Sequence, residues 1–178
     1  MTRHTYDKEI TALLVIDPYN DFISKGGKVW DRLKGVAEAN QCVPHMLQVL
    51  NAARKAGIRV FYALHHRYRP GDYETWKYVT PIQRAAWARK TFEYGTWGGE
   101  FRSEFAPQPG EIVVNEHWGS SGFANTDLNL QLKRHGAAQE KHVTGGTVRL
   151  RLHQRKDVFH FYGFCAGLAQ RILSPYAN

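Results

Sequence analysis

The sequence predicts an α/β fold, a three-layer α-β-α sandwich around a mostly parallel sheet. Continuously apolar runs of strand length, at residues 11–16 and 59–64, are typical of parallel strands that are buried on both faces. Segments with apolar residues at helical spacing alternate with such runs through residue 136. In a chain of 178 residues, this alternation indicates a single domain with a sizeable core.

The first predicted strand, residues 11–16, ends at Asp17 and Pro18. Proline cannot donate a hydrogen bond to a neighbouring strand, so the strand stops there and leaves Asp17 at its carboxyl end. Residues 59–64 predict the second strand, and a polar loop over residues 65–71 follows it. Ligands of open α/β sheets bind beyond the carboxyl ends of the strands, so we expect Asp17 and this loop at one edge of the sheet.

Helical spacing predicts a helix over residues 36–56 and a short helix over residues 81–90. The short helix lies within residues 72–110, a long connecting segment rich in aromatic residues and glycine that we expect to cover the site. Residues 109–114 predict a turn and a third strand, and residues 126–135 predict a helix.

The pattern weakens after residue 136, so we interpret residues 137–178 as an atypical tail of the domain. Residues 143–152 alternate weakly, residues 158–164 favour another strand, and residues 166–173 favour a short helix. We therefore expect the fold to be truncated or altered at its carboxyl-terminal side.

Charge and apolar content argue against two classes of partner. Half of the net charge of +8 falls in residues 137–178, which hold six basic and two acidic side chains, and no RNA-binding motif is present. No segment approaches the roughly 18 apolar residues of a membrane span. We therefore expect neither a nucleic-acid nor a membrane partner. Cys42 and Cys165, without a secretory signal, favour a reducing cytoplasm.

Two blocks of sequence carry a specific pattern. Residues 12–22 read Ala-Leu-Leu-Val-Ile-Asp-Pro-Tyr-Asn-Asp-Phe, and residues 116–128 read Glu-His-Trp-Gly-Ser-Ser-Gly-Phe-Ala-Asn-Thr-Asp-Leu. The first block resembles the opening signature of the isochorismatase-like cysteine hydrolases, which include nicotinamidases and N-carbamoylsarcosine amidases. The second resembles that family's Ser-x-Phe-x-x-Thr-x-Leu segment. The resemblance covers about residues 8–136.

The resemblance implies catalysis by an Asp, a Lys and a Cys. The thiolate attacks the carbonyl carbon of an amide-like bond, and water hydrolyses the resulting thioester. Asp17 matches the family's Asp and is expected to be the general base. The alternative is a turn residue that binds the backbone near Asn20.

The Lys of the family is not matched, because no lysine lies between Lys90 and Lys133. We expect Asn115 or Glu116 in its place, with Glu116 as an auxiliary acid or an orienting group. The alternative for Glu116 is a structural contact with His117 or with an arginine.

The nucleophile is the larger departure from the family. Its segment would fall near residues 144–153, which contain no cysteine. Cys165 follows an apolar run and is the one downstream candidate for the nucleophile, and the alternative is that it is a small buried core residue. Cys42 lies within a predicted helix and is expected to be structural. A one-nucleotide shift of the reading frame permits codons for a Gly-to-Cys-Ile segment over residues 144–153, which suggests that the tail arose from a frameshift.

Further residues of the two blocks and of the loop at residues 65–71 are expected to bind substrate. They are Asn20, Phe22, His65, His117, Trp118 and Ser121. The metal-binding Asp-x-His pattern of nicotinamidases is absent, since Ala63 stands two residues before His65, so we expect no metal and no cofactor.

The sequence thus predicts a hydrolase of a small amide-like (C–N) or enol-ether substrate. The alternative is a catalytically impaired member of the same fold that binds a ligand without turnover. The resemblance also implies a small-molecule partner and a homo-oligomer, because family members commonly associate.

Overall fold

The computed structural model of the chain describes residues 7–137, 142–144, 147–149 and 158–161. The strands are β1 (Ala12–Ile16), β2 (Arg59–Ala63), β3 (Ile112–Val113), β4 (His142–Thr144), β5 (Thr147–Arg149) and β6 (Val158–Phe161). The helices are α1 (Asn20–Ile23), α2 (Trp30–Ala39), α3 (Cys42–Lys55), α4 (Pro81–Arg89) and α5 (Leu128–Arg134).

Four of the strands form one parallel sheet in the order β3-β2-β1-β6. The central strand β1 pairs in parallel with β2 on one side, where Leu14 lies opposite Phe61. It pairs with β6 on the other side, where Leu14 lies opposite His160. Strand β3 extends the sheet beyond β2. The weak alternation predicted after residue 142 corresponds to an antiparallel pair, β4 and β5, that forms a second sheet.

Apolar side chains cover both faces of the sheet, as the three-layer prediction requires. On one face, Leu13 packs in a cluster with Met46 of α3. On the opposite face, Leu14 packs in a cluster with Leu128 of α5. Every residue of β1 is buried, which explains why this strand is continuously apolar in the sequence. Burial of each leucine, valine or isoleucine side chain of β1 contributes about 1.5–3 kcal/mol to stability.

The helix predicted over residues 36–56 is two helices in the structure. The chain breaks between α2 and α3 because Gln41 adopts a left-handed backbone conformation with φ of 49°. Helix α2 already begins at Trp30, and Cys42 is the first residue of α3 rather than a mid-helix residue.

Helix α4 begins with a capping box, in which Thr80 and Gln83 satisfy each other's backbone donors. It is the short helix expected within residues 72–110. In the described residues, no helix is long and apolar enough to cross a bilayer. The predicted helix over residues 166–173 and the candidate nucleophile Cys165 lie outside the described residues.

Candidate active site

Asp17 is held at the carboxyl ends of β1 and β2. Its backbone adopts a left-handed conformation with φ of 52°, which aspartate tolerates better than most residues. Its amide donates to the Ala63 carbonyl at 3.2 Å, and its Oδ1 accepts from the His65 amide at 2.5 Å. The carboxylate thus binds the backbone of the neighbouring strand end rather than the turn near Asn20, and its side chain is only 16% exposed.

His117 is the side chain that approaches Asp17 from the next strand end. Its backbone pairs in parallel with His65, with its amide donating to the Leu64 carbonyl at 2.8 Å. Its Nδ1 donates to the Gly119 carbonyl at 2.7 Å, so its Nε2 faces Asp17 Oδ1 at 3.5 Å. Burial alone would lower the pKa of His117, but the Asp17 carboxylate outweighs it and raises the pKa above its usual value.

This geometry corrects the expectation that Asn115 or Glu116 takes the place of the family's Lys. The amide of Asn115 donates to Asp127 Oδ1 at 2.7 Å, and Glu116 contacts a different group of residues. The basic side chain beside Asp17 is His117, which the sequence had suggested only as a substrate contact.

His65 lies next to this pair. Its ring centroid is 5.4 Å from that of His117, and its Nδ1 donates to the His66 carbonyl at 2.9 Å. Burial lowers the pKa of His65, so its ring is neutral near pH 7. We call Asp17, His65 and His117 the cavity cluster, because all three line the same cavity.

The cavity has a volume of about 260 Å³. Part of its lining comes from α4, which agrees with the expectation that the segment over residues 72–110 covers the site. Its apolar lining residues are Phe22, Val29, Ile82, Ala86 and Phe92, and its charged or hydroxyl-bearing ones beyond the cavity cluster are Arg89, Thr91 and Ser120. This size suits a small molecule, since pockets for drug-sized ligands measure about 300–1,000 Å³.

Three buried polar atoms in the described part of the chain have no hydrogen-bond partner there. They are Arg89 Nε, Thr91 Oγ1 and His117 Nε2, and all three residues line this cavity. Buried polar groups are normally hydrogen-bonded, and each exception costs about 1–3 kcal/mol. Their concentration in one place indicates a binding site for a polar ligand.

Glu116 lies in a separate network that we call the ion-pair cluster, formed by His66, Arg67, Asp72 and Glu116. Glu116 Oε1 accepts from Arg67 Nε at 2.7 Å, and Oε2 accepts from the Arg67 amide at 3.0 Å. The His66 ring nitrogens lie 3.1 Å from Glu116 Oε2 and 2.8 Å from Asp72 Oδ2.

These contacts decide the ionisation of Glu116. Burial alone would raise its pKa, but the hydrogen bonds from His66 and Arg67 outweigh it and lower the pKa of Glu116 to about 2. Glu116 therefore carries no proton to donate near neutral pH. The contacts favour the structural ion pair, with Arg67 as the arginine, over the auxiliary acid.

The remaining expected substrate contacts divide into two groups. Phe22 lines the cavity together with His65 and His117. Asn20, Trp118 and Ser121 do not line it. Asn20 is buried and donates to the Trp97 carbonyl at 2.9 Å, while Ser121 Oγ accepts from the Phe123 amide at 3.3 Å.

Trp118 serves the ion-pair cluster instead of the cavity. Its ring stacks on His66 with centroids 3.6 Å apart, and it also contacts Tyr73 and Trp76. The sequence did not indicate that Arg89 and Thr91 line the cavity. Both lie at or just after the end of α4, and no motif or regular spacing marks them in the sequence.

Cys42 lies in the core rather than in the cavity. It is 1% exposed, and its Sγ contacts Met46 Sδ at 3.9 Å within α3. This environment agrees with the structural role expected for Cys42. Among the described residues, no cysteine lines the cavity.

Comparisons with curated proteins point to one family. The family description "Isochorismatase domain" matches residues 11–148. The ureidoacrylate amidohydrolase RutB of Rhizobium rhizogenes is 27% identical over 93% of this chain and 72% of that protein. The RutB of Stutzerimonas stutzeri is 31% identical over 71% of this chain and 54% of that protein.

Solved structures agree with this result. A cysteine hydrolase from Pseudomonas syringae pv. phaseolicola matches with a TM-score of 0.57 and 26% identity, covering 76% of this chain and 59% of that one. The N-carbamoylsarcosine amidase from Thermoplasma acidophilum matches with a TM-score of 0.51 and 28% identity, covering 71% and 62%. The chain thus spans less than two thirds of these structures. With its parallel sheet and a family match over most of its length, this chain belongs to the isochorismatase family of hydrolases.

Proposed function

We propose that this chain hydrolyses a small amide-like C–N bond with Asp17 as the general base. The observation that carries the proposal is the Asp17 carboxylate, held beside His117 in a cavity of small-molecule size. The names of the relatives, ureidoacrylate amidohydrolase and N-carbamoylsarcosine amidase, denote cleavage of such bonds and favour them over an enol ether.

The proposed reaction follows the thiol chemistry that the family resemblance implies. Asp17 accepts the proton of the Cys165 thiol, and the thiolate sulfur forms a bond to the substrate carbonyl carbon. The C–N bond then breaks, and the amine leaves with the proton that Asp17 returns. Water, deprotonated by Asp17, cleaves the thioester and regenerates the thiol.

His117 has a positioning role in this scheme. The resemblance assigns a Lys to the site beside the catalytic Asp, and we assign this role to His117 because its Nε2 lies 3.5 Å from Asp17 Oδ1. Its raised pKa favours the protonated ring, which supplies a positive charge beside the carboxylate. Glu116 orients this region indirectly, because it anchors His66 and Arg67, and His66 donates its amide to the His117 carbonyl at 2.8 Å.

A second candidate function is ligand binding without turnover. The observation that favours it is that, among the described residues, the cavity contains neither a cysteine nor a lysine. For either function we propose a small-molecule ligand and a homo-oligomer in the cytoplasm. Size-exclusion chromatography with light scattering tests the oligomer, and elution at about 20.4 kDa would contradict it.

The test is ammonia release from N-carbamoyl acids such as 3-ureidopropionate by the full chain. We expect Asp17→Asn to lower kcat by about 10²–10⁴-fold, because Asn tolerates the left-handed backbone but cannot accept the proton. The matched control Asp31→Asn, on the exposed start of α2, should stay within about twofold.

The outcomes separate the two functions. Undiminished turnover in Asp17→Asn would contradict the general base, and undiminished turnover in Cys165→Ser would contradict the thiol mechanism. A wild-type chain that releases no ammonia yet gains thermal stability with the same compound would favour the binding protein.

A further inference from the structure

Arg89 differs from two other partly buried arginines, Arg54 and Arg67, in that it has no carboxylate partner among the described residues. Arg54 pairs with Glu111 at 2.8 Å, Arg67 pairs with Glu116 at 2.7 Å, and both are mostly buried. Arg89 also lines a partly enclosed space, but no carboxylate of the described residues lies within 4.0 Å of it, and its Nε is buried without a partner among those residues. A guanidinium group in this position carries a positive charge that the described protein does not neutralise.

Thr91 provides a second open group at the same place. It is 6% exposed, and its Oγ1 is buried without a partner in the described residues. The backbone that carries both residues is fixed, because the Thr91 amide donates to the Ala86 carbonyl at 2.9 Å. The chain turns at Lys90, which has a left-handed φ of 49°. The two groups are thus held in advance of ligand binding, which lowers the entropic cost of binding.

We propose that Arg89 and Thr91 bind a carboxylate of the substrate, so that the site takes small amide-like compounds that bear a free acid group. Carboxylates match the donors of a guanidinium, and charged hydrogen bonds of this kind contribute more than neutral ones. The Asp17 carboxylate of the same cavity does not fill this role, since it accepts from the His65 amide and faces His117. This inference rests on the proposed function and names its substrate class.

A matched pair of ligands isolates the carboxylate. 3-Ureidopropionate ends in a carboxylate, and 3-ureidopropionamide has a neutral carboxamide at the same position. Calorimetry measures the binding of both to the full chain that carries Asp17→Asn, which blocks turnover. We expect the acid to bind at least about tenfold more tightly than the amide, the scale of one charged hydrogen bond. Arg89→Gln should abolish this preference and leave the affinity for the amide within about twofold.

Two further variants sharpen the test. Thr91→Val, which removes the hydroxyl and keeps the shape, should weaken binding of the acid by a smaller factor of about two to ten. The control Arg84→Gln removes an exposed arginine from the same helix and should change neither affinity. Because Arg89 Nε has no internal partner in the described residues, Arg89→Gln should also melt at or above the temperature of the parent chain.

Each result decides something. Equal affinity for acid and amide, an equal loss of both in Arg89→Gln, or binding of neither ligand would overturn the carboxylate subsite. Discrimination by charge without ammonia release from the wild-type chain would support the subsite and contradict the hydrolase. Hydrolysis of both compounds at equal kcat/KM would support the hydrolase and contradict the subsite.

Discussion

The cavity cluster and the ion-pair cluster are built from neighbouring residues but differ in how fully their polar groups are paired. His65 and His117 face Asp17, whereas His66 and Glu116, one position away along each strand end, join Arg67 and Asp72. Adjacent side chains on an extended backbone point to opposite faces, so each strand end contributes to both clusters. The same two chain segments therefore serve two purposes.

The two clusters differ in whether their polar atoms have hydrogen-bond partners within the described residues. In the ion-pair cluster both carboxylate oxygens of Glu116 and both ring nitrogens of His66 have partners. In the cavity, His117 Nε2 has no hydrogen bond within the described residues and only a long approach to Asp17. Satisfied groups stabilise the sheet edge, and unsatisfied ones are available to a ligand.

After Asp17→Asn, the largest effect should come from His117, on the cavity side of the comparison. His117→Gln removes the positive charge beside Asp17 and should lower kcat about 10–100-fold, with the midpoint of thermal unfolding little changed. His117→Lys restores the charge type that the family places there and should retain most of the rate. Ammonia release measures both variants. Equal rates in wild type, Gln and Lys would show that His117 plays no part in turnover.

The ion-pair side should respond in stability instead. Glu116→Gln leaves Arg67 without its anion and His66 with Asp72 alone, so we expect the free energy of unfolding to fall by about 1–3 kcal/mol. Urea denaturation measures it. The control Glu104→Gln breaks a more exposed pair with Arg102 and should cost less than about 1 kcal/mol.

The same variant tests the assignment of Glu116 in catalysis. Because Glu116 is ionised, kcat of Glu116→Gln should fall by less than about tenfold. A fall of kcat by 10³-fold or more in a variant that still folds would support Glu116 as an auxiliary acid.

The smallest effect should be a pH dependence that belongs to His66. Burial alone would lower its pKa, but the bonds to Glu116 and Asp72 raise it, so its contribution is complete below about pH 6.5 and is lost as pH rises through the folded pKa. Glu116 behaves oppositely. Its contribution is complete above about pH 4.5 and is lost as pH falls towards about 2.

Urea denaturation of wild type and His66→Gln between pH 5.5 and 8.5 measures the contribution of His66 to the free energy of unfolding. The stability difference between the two chains should shrink by about 1 kcal/mol across this range. A constant difference would mean that His66 is not protonated in the folded state. The difference between the chains is the useful quantity, because burial lowers the pKa of His65 and gives that residue the opposite pH dependence.

Much of the fold followed from local patterns. The apolar run before Asp17 predicted a strand buried on both faces, and the structure places β1 at the centre of the parallel sheet. The break of the long helix at Gln41 was missed, since a left-handed residue between two amphipathic stretches leaves no gap in the apolar spacing. Glu116 was expected beside Asp17 only because it lies near the point in the sequence where the family's Lys was sought.

The sequence by itself determined the position of Asp17, because a proline after an apolar run ends a strand wherever the strand lies in the sheet. Only the tertiary structure decided which residue faces it. The pairing of His65 with His117 sets the face on which each neighbour points, and pairing is a relation between segments about 50 residues apart. Arg89 and Thr91 reach the cavity only because α4 folds over it, which no local pattern encodes.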